Sequence, residues 1–476
     1  MTTTTPGRLH PLRRAEASSG FDHRLISPMI LGAVLNPINS SIIAVALVPI
    51  GLALGAPAAQ TAWLVSGLYL ATSIGQPVVG RLVDLYGSRR LFLAGAVLVG
   101  LGGLLGAVAP SIGVLVVSRV IIGFGTCAGY PSAMSLIRSE ADRTGRDSPA
   151  SVLTVLAVST QTVAVIGPTL GGLLIGLGGW RATFAVNLPL ALACLVLGAR
   201  RLPPGPPVDR RERAGLARRI DLVGILGFSA TLVALLLFLT HLRADLWWLL
   251  AITVVVGAAF VAWERRAPNP FLDLRMLGGN RPLLATYVRA LLAAVTSYAL
   301  LYGYTQWLEQ GRGLSPSMAG LVLLPIFGAG IAVSLISGRR PEIRGKLVVG
   351  AVGQVLVGVL LLLLGPTSPI WLIVVVALVA GVPQGLNNLA NQNAVYRQAD
   401  PARTASSAGL MRTFFYLGAI TASTANGIVL TPVADTAGLH ELALVVLVAS
   451  VLFLVLTLAD RSLAHVVPAE QEDRPT

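Results

Sequence analysis

The sequence predicts an all-α integral membrane protein with fourteen transmembrane helices, six followed by two followed by six. Three observations predict it. Of 476 residues, 54% are hydrophobic and only 12% charged, about half the charged share of a soluble domain. Apolar runs of roughly 18 residues or more recur along the whole length. The runs are continuous rather than alternating, so they read as helices and not as barrel strands. Finally, two breaks rich in proline and arginine, Arg201–Arg219 and Arg265–Pro282, set one pair of runs apart from six before and six after.

In chain order the runs lie near 25–53, 60–80, 91–109, 112–138, 150–176, 184–200, 220–241, 246–263, 283–306, 317–337, 346–365, 370–394, 404–431 and 440–460. Residues 1–20 hold no apolar stretch, so they read as a tail and not a cleaved signal peptide. The expected organisation is therefore a tail, a first six-helix unit over 21–202, a linker with helices seven and eight over 203–282, a second six-helix unit over 283–462, and a tail over 463–476. An even count puts both termini on one side. One set of alternate loops and tails holds most of the arginines, among them Arg81, Arg89, Arg90, Arg138, Arg339, Arg340 and Arg397. The other set holds only Arg181, Arg243 and Arg312. The basic set is expected in the cytoplasm, with the protein in the cell's inner (plasma) membrane. The net charge of +14 is thereby used up in topology and implies no nucleic acid. Cys127 and Cys194 fall inside apolar runs without metal-ligand spacing and read as packing residues.

The turn from Gly80 through Arg81, Asp84, Gly87 and Arg89 to Arg90 holds three arginines and one aspartate between two apolar runs. It is short and bracketed by glycines, so a tight turn in water is expected. Polar side chains form stripes at helical spacing on four runs: Asn36, Asn39 and Ser40; Ser66, Tyr69, Ser73 and Gln76; Tyr298, Tyr302 and Gln306; Gln384, Asn387, Asn388 and Asn391. In lipid such groups are costly unless paired or wetted. The stripes line a central cavity or bond helix to helix; the spacing allows both. Arg119, Arg289 and Arg412 lie within runs, with no acidic residue at comparable depth. An ionised group there is expensive and functional by default.

These residues resemble the major facilitator superfamily. The turn at Gly80–Arg90 is similar to that family's loop signature, and Arg119-Val120-Ile121-Ile122-Gly123 to its buried-arginine motif. Gly167, Pro168, Gly171 and Gly172 resemble its antiporter motif. The run count, Trp180–Pro189 and Ile220–Gly224 are similar to the fourteen-helix drug:proton antiporter branch. The resemblance implies two six-helix bundles around a central cavity, rocking between inward-open and outward-open states. Asp84 is then expected to take hydrogen bonds at a helix start of the other bundle while the cytoplasmic ends are together. Arg119 is implied to face the cavity and take part in coupling; a structural arginine capped by carbonyls is the alternative. The glycines at 167, 171 and 172 are expected to pack closely against the counterpart helix of the second bundle, with Pro168 kinking their own. The branch carries an aspartate where this chain has Asn39, so the usual carboxylate for proton coupling is missing.

The leading functional reading is a secondary active transporter that exports small lipophilic molecules, with the bilayer and a small-molecule substrate as partners, protons as a candidate coupling ion, and a monomer as the working unit. A carrier of a polar nutrient or a lipid is the alternative. A non-transporting sensor or scaffold is disfavoured by the short loops. No nucleophile–base pair, metal cluster or phosphate loop is present, so no catalytic residue, metal or cofactor is expected. Three intramembrane arginines without a matching acid predict an electropositive cavity suited to neutral or anionic amphiphiles.

Overall fold

The computed structural model describes residues 21–464 except 57, 62, 145–149, 205–220, 241–246, 273, 315, 339, 341 and 431–433. The expected tail 1–20, most of the first linker, residues 465–476 of the last tail and the side chain of Pro168 lie outside the described residues. The chain is helical throughout the rest. The first half comprises α1 (Ile26–Leu54), α2 (Trp63–Tyr86), α3 (Ser88–Ala107), α4 (Ile112–Thr126), α5 (Gly129–Thr144), α6 (Ala150–Gly178) and α7 (Asn187–Arg201). A hairpin of α8 (Leu222–Thr240) and α9 (Trp247–Glu264) follows. The second half comprises α10 (Arg281–Tyr298), α11 (Pro316–Gly338), α12 (Arg344–Leu362), α13 (Ile370–Gln398), α14 (Thr404–Val429) and α15 (Thr436–Ala459). α10 continues as π-helical turns over Ala299–Tyr304 and Trp307–Gly311. Side-chain caps fix several starts: Asn280 Oδ1 accepts from Leu283 N at 3.1 Å ahead of α10, and Asp435 Oδ1 from Gly438 N at 2.8 Å ahead of α15.

Helix occupies each of the fourteen expected runs. Among the described residues ten helices are long and apolar enough to cross a membrane, or eleven if the two arms of α6 form one span. Those arms, Ser151–Gly167 and Thr169–Gly178, meet at 47°. α8 qualifies only as a shorter apolar helix, over Leu222–Leu235. α2 and α14 are long but not apolar enough, and they pack on each other along their lengths. Several of their polar side chains, Ser73, Gln76, Thr413 and Asn426 among them, are buried in protein, which is why hydropathy under-reports these helices.

Bonds between helix ends sort the molecule into two faces. On one, Arg201 donates to Ser27 Oγ at 2.6 Å, Arg89 to the Ala199 carbonyl at 2.7 Å, Asn280 to the Gln398 carbonyl at 2.8 Å, and Asp22 N to Glu140 Oε1 at 2.8 Å. On the other, Arg181 donates to the Ala109 carbonyl at 3.2 Å and Arg312 to the Ser368 carbonyl at 2.7 Å. Among the described residues the first face carries most of the arginines. The halves meet where α2 and α5 pack on α14 and where α6 packs on α11. One buried apolar cluster crosses between them, joining Leu136 and Ile137 to Val395, Leu410 and Met411. The hairpin rests on the α2–α14 seam: Phe228, Leu232, Phe260 and Phe271 pack with Ile74 and Val78 of α2 and Leu417 of α14.

Candidate functional site

The arginine-rich face is closed. Gly87 alone joins α2 to α3, and its φ of +88° is a conformation that side chains disfavour. The tight turn leaves Asp84 at the last turn of α2, directly against the start of α14. Its carboxylate accepts from Ala405 N at 3.1 Å, from Ser406 N at 2.9 Å and from the Ser406 hydroxyl. A helix start has unpaired N–H groups and a positive end of its dipole, so an acid there is doubly favoured. One turn earlier, Gly80 lets the backbones meet: a Cβ there would stand 2.6 Å from the Ala405 carbonyl oxygen. Further in, Thr413 Oγ1 donates to the Ser73 carbonyl at 2.9 Å and the Tyr416 hydroxyl to Asn36 Oδ1 at 2.8 Å. The Arg412 guanidinium lies over the Tyr130 ring, 4.1 Å from its centroid. All of these contacts join the two halves.

Beyond this closure lies a cavity of about 400 Å³ between the halves, large enough for a drug-sized molecule. Two unlike surfaces line it. One is aromatic: Tyr298 stands 5.6 Å from Tyr302 and 5.7 Å from Phe415, and Tyr69 stands 5.8 Å from Tyr416. The other is a wall of amides, Gln161, Gln354, Gln384, Asn387, Asn388 and Asn391. Both polar atoms of the Asn387 side chain, and the carbonyl oxygens of Asn391, Gln161 and Gln354, are buried without a hydrogen-bond partner within the protein. Among the described residues Arg412 is the one charged side chain on the lining. It sits eight residues into α14, about 12 Å from the arginine-rich face at 1.5 Å per residue. Among the described residues no group of three His, Cys, Asp or Glu side chains is placed to hold a metal ion.

Of the residues read from the sequence as cavity lining, Asn36, Tyr69, Tyr298, Tyr302, Gln384, Asn387, Asn388 and Asn391 are on the wall. Asn39 and Gln76 are not. Asn39 turns into the first half, donating to the Leu35 carbonyl at 2.9 Å and Asn187 Oδ1 at 2.8 Å. Gln76 is buried in the α2–α14 seam, where its backbone meets Gly409. Arg119, implied to face the cavity, lies behind the wall at 2% exposure. It donates to the backbone carbonyls of Leu64 at 2.8 Å and Asn39 at 3.1 Å, the carbonyl-capped alternative. Arg289 is fully buried and also off the wall. It pairs with Asp460 at 2.9 Å and donates to Thr286 Oγ1 at 2.6 Å. The expectation of arginines without a matching acid is thus corrected: the end of α15 folds a carboxylate onto α10.

The glycines of α6 also differ from expectation. A Cβ at Gly167 would strike Ser41, and one at Gly171 would stand 2.9 Å from the Ile42 carbonyl oxygen, so both approach α1 of their own half and not the second half. Gly172 faces open space. The contact between halves falls earlier on α6, where Gln161 Nε2 donates to Ser334 Oγ at 3.3 Å. Arg90 is exposed at the start of α3. Sequence reasoning missed Gln161, Gln354, Ser297 and Phe415 on the cavity wall. Gln161 and Gln354 carry the one available signal, a lone amide on an otherwise apolar helix face.

The model of the Major Facilitator Superfamily matches residues 29–423. YwoD of Bacillus subtilis (strain 168), described as an uncharacterized MFS-type transporter, is 34% identical over 412 residues, 83% of this chain and 88% of its own length. The multidrug resistance protein Stp of Mycobacterium tuberculosis (strain CDC 1551 / Oshkosh) is 32% identical over 314 residues, 64% of this chain and 55% of its own length. The solved structure of the proton:xylose symporter XylE superposes with a TM-score of 0.62 over 90% of this chain and 94% of that one, at 13% identity, a likeness of fold alone. With a cavity between two helical halves and a carboxylate-sealed seam on one side of it, the chain belongs to the major facilitator superfamily.

Proposed function

We propose that this multi-pass membrane protein is a secondary active transporter that exports small lipophilic molecules by alternating access. The observation that carries the reading is the 400 Å³ cavity between the halves, sealed toward the arginine-rich face by contacts that only a closed seam can make. In this reading all fourteen helical runs cross the inner membrane and both termini are cytoplasmic. Residues 21–202 and 283–462 form the two moving bundles, and 203–282 carry the inserted pair. The arginine-rich face is the cytoplasmic one, so the described state is closed to the cytoplasm. Inward opening would break the Asp84, Thr413 and Tyr416 bonds and expose the cavity to substrate from within. The aromatic lining offers a lipophilic molecule stacking and apolar contact. The name of the relative Stp, a multidrug resistance protein, supports export as the direction.

Proton coupling would use a group other than Asn39, which cannot titrate, and among the described residues no carboxylate lines the cavity. The amide wall favours a second reading, a carrier of a specific polar solute. Transport into proteoliposomes, with and without an imposed pH gradient, decides between them. Uphill flux of lipophilic compounds driven by the gradient supports export. Gradient-independent equilibration of one polar solute supports the second reading and refutes the first.

A further inference from the structure

We infer that the cavity holds an anion subsite at Arg412, and that the molecules it takes best are aromatic compounds bearing one negative charge, such as aryl carboxylates. The inference rests on the cavity being the transport site and goes further, by giving its ligand a charge. Among the described residues Arg412 is the one charged side chain on the lining, and no carboxylate accompanies it. Its guanidinium is stacked on Tyr130, 4.1 Å from the ring centroid, and lies 6.0 Å from the Phe415 centroid. Stacking holds the group in place and eases its burial but leaves its full charge uncancelled. Its Nε is buried without a partner within the protein. A buried arginine donor without an acceptor is costly, and a carboxylate is the acceptor that best fits the guanidinium fork.

The rest of the wall completes a site for such a molecule. The rings of Phe415, Tyr298 and Tyr302 succeed one another beside Arg412 and offer faces and edges to an aryl group. The half-buried amides of Gln384 and Asn388 on the same lining can meet hydroxyl or carbonyl substituents. Among the described residues of this lining a cation finds no counter-charge. It would also meet the Arg412 charge in a medium of low dielectric, where repulsion is strong.

The test uses the full-length protein in lipid nanodiscs and three probes that differ in one group: 2-naphthoate, 2-naphthamide and 2-naphthylmethylammonium, with binding followed by naphthyl fluorescence. Naphthoate is expected to bind about tenfold more tightly than the amide and about a hundredfold more tightly than the ammonium. Arg412→Gln should remove the preference for naphthoate and leave naphthamide affinity within about twofold, which also reports an intact pocket. Arg412→Lys should keep the order of the three probes with a smaller gap. Equal or tighter binding of the ammonium, retention of the anion preference in Arg412→Gln, or no binding of any probe would overturn the inference. Flux measured in parallel separates the two claims. Selective naphthoate binding without flux removes the export reading and leaves the subsite. Flux without charge preference does the reverse.

Discussion

Replacing Asp84 by Asn probes the closure directly. The carboxylate accepts three hydrogen bonds at the start of α14, two from backbone N–H groups and one from the Ser406 hydroxyl. An amide keeps one acceptor oxygen, presents a donor where the other stood, and loses the charge. Charge-assisted bonds contribute about 1.5–3 kcal/mol against about 1 for neutral ones, and the helix dipole adds about 0.3–1 kcal/mol. Part of this returns when the freed groups are hydrated on opening. A net loss of about 2 kcal/mol for the closed state is reasonable, a factor of about 30 in the equilibrium between closed and open. The assay is the labelling rate of a cysteine placed at Ser73, which is fully buried in the α2–α14 seam. The native Cys127 and Cys194 are also fully buried and would be replaced by serine. When opening and closing are fast compared with labelling, the rate follows the open population. Asp84→Asn should therefore speed the reaction of a water-soluble maleimide about 30-fold. An unchanged rate in a protein that remains monodisperse would refute the claim that Asp84 holds the halves together.

Gly80→Ala should act in the same direction in that assay, because its Cβ meets backbone at Ala405 and Ser406 and neither can step aside; a slower rate would contradict it. Tyr416→Phe deletes one neutral bond to Asn36 and should raise the rate about fivefold, on the order of 1 kcal/mol. Asp460→Asn leaves Arg289 charged and buried, and should lower the thermal unfolding midpoint sharply, with about 3–5 kcal/mol lost; Arg289→Met with Asp460→Leu should recover most of it. Failure of the double variant to exceed the single one would mean that the pair does not act as a unit. Asn39→Asp removes the donor that reaches Leu35 O and Asn187 Oδ1, so it should cost about 1–3 kcal/mol in the same unfolding measurement. A gain in stability would show that Arg119 welcomes a carboxylate there.

What was legible in the sequence was whatever repeats or is local. Hydropathy located the helices, and the charged turn between Gly80 and Arg90 marked the closure because its spacing is a property of one short stretch. The amides of α13 were legible because four of them fall on one face of a single helix. Partners brought from far away were not. Arg289 meets Asp460 across 171 residues, and Arg119 finds its acceptors in backbone carbonyls, which carry no signature in any sequence. Gln161 and Gln354 each stand alone on their helices, so only the folded chain could place them beside the α13 amides. The glycines of α6 signalled a close approach but not which helix would supply it.

The one-residue link at Gly87 has a mechanical consequence. Gly87 is the whole of the turn, at a φ of +88°, so adding a single residue there would move the start of α3 relative to the end of α2. Lengthening the link would also free the two helices to tilt separately. As built, a single residue couples the end of α2 to the start of α3, and the Arg89 bond to the Ala199 carbonyl ties that start to the end of α7. The Asp84 seam is thereby connected, through one residue and one hydrogen bond, to the point where the chain leaves the first half.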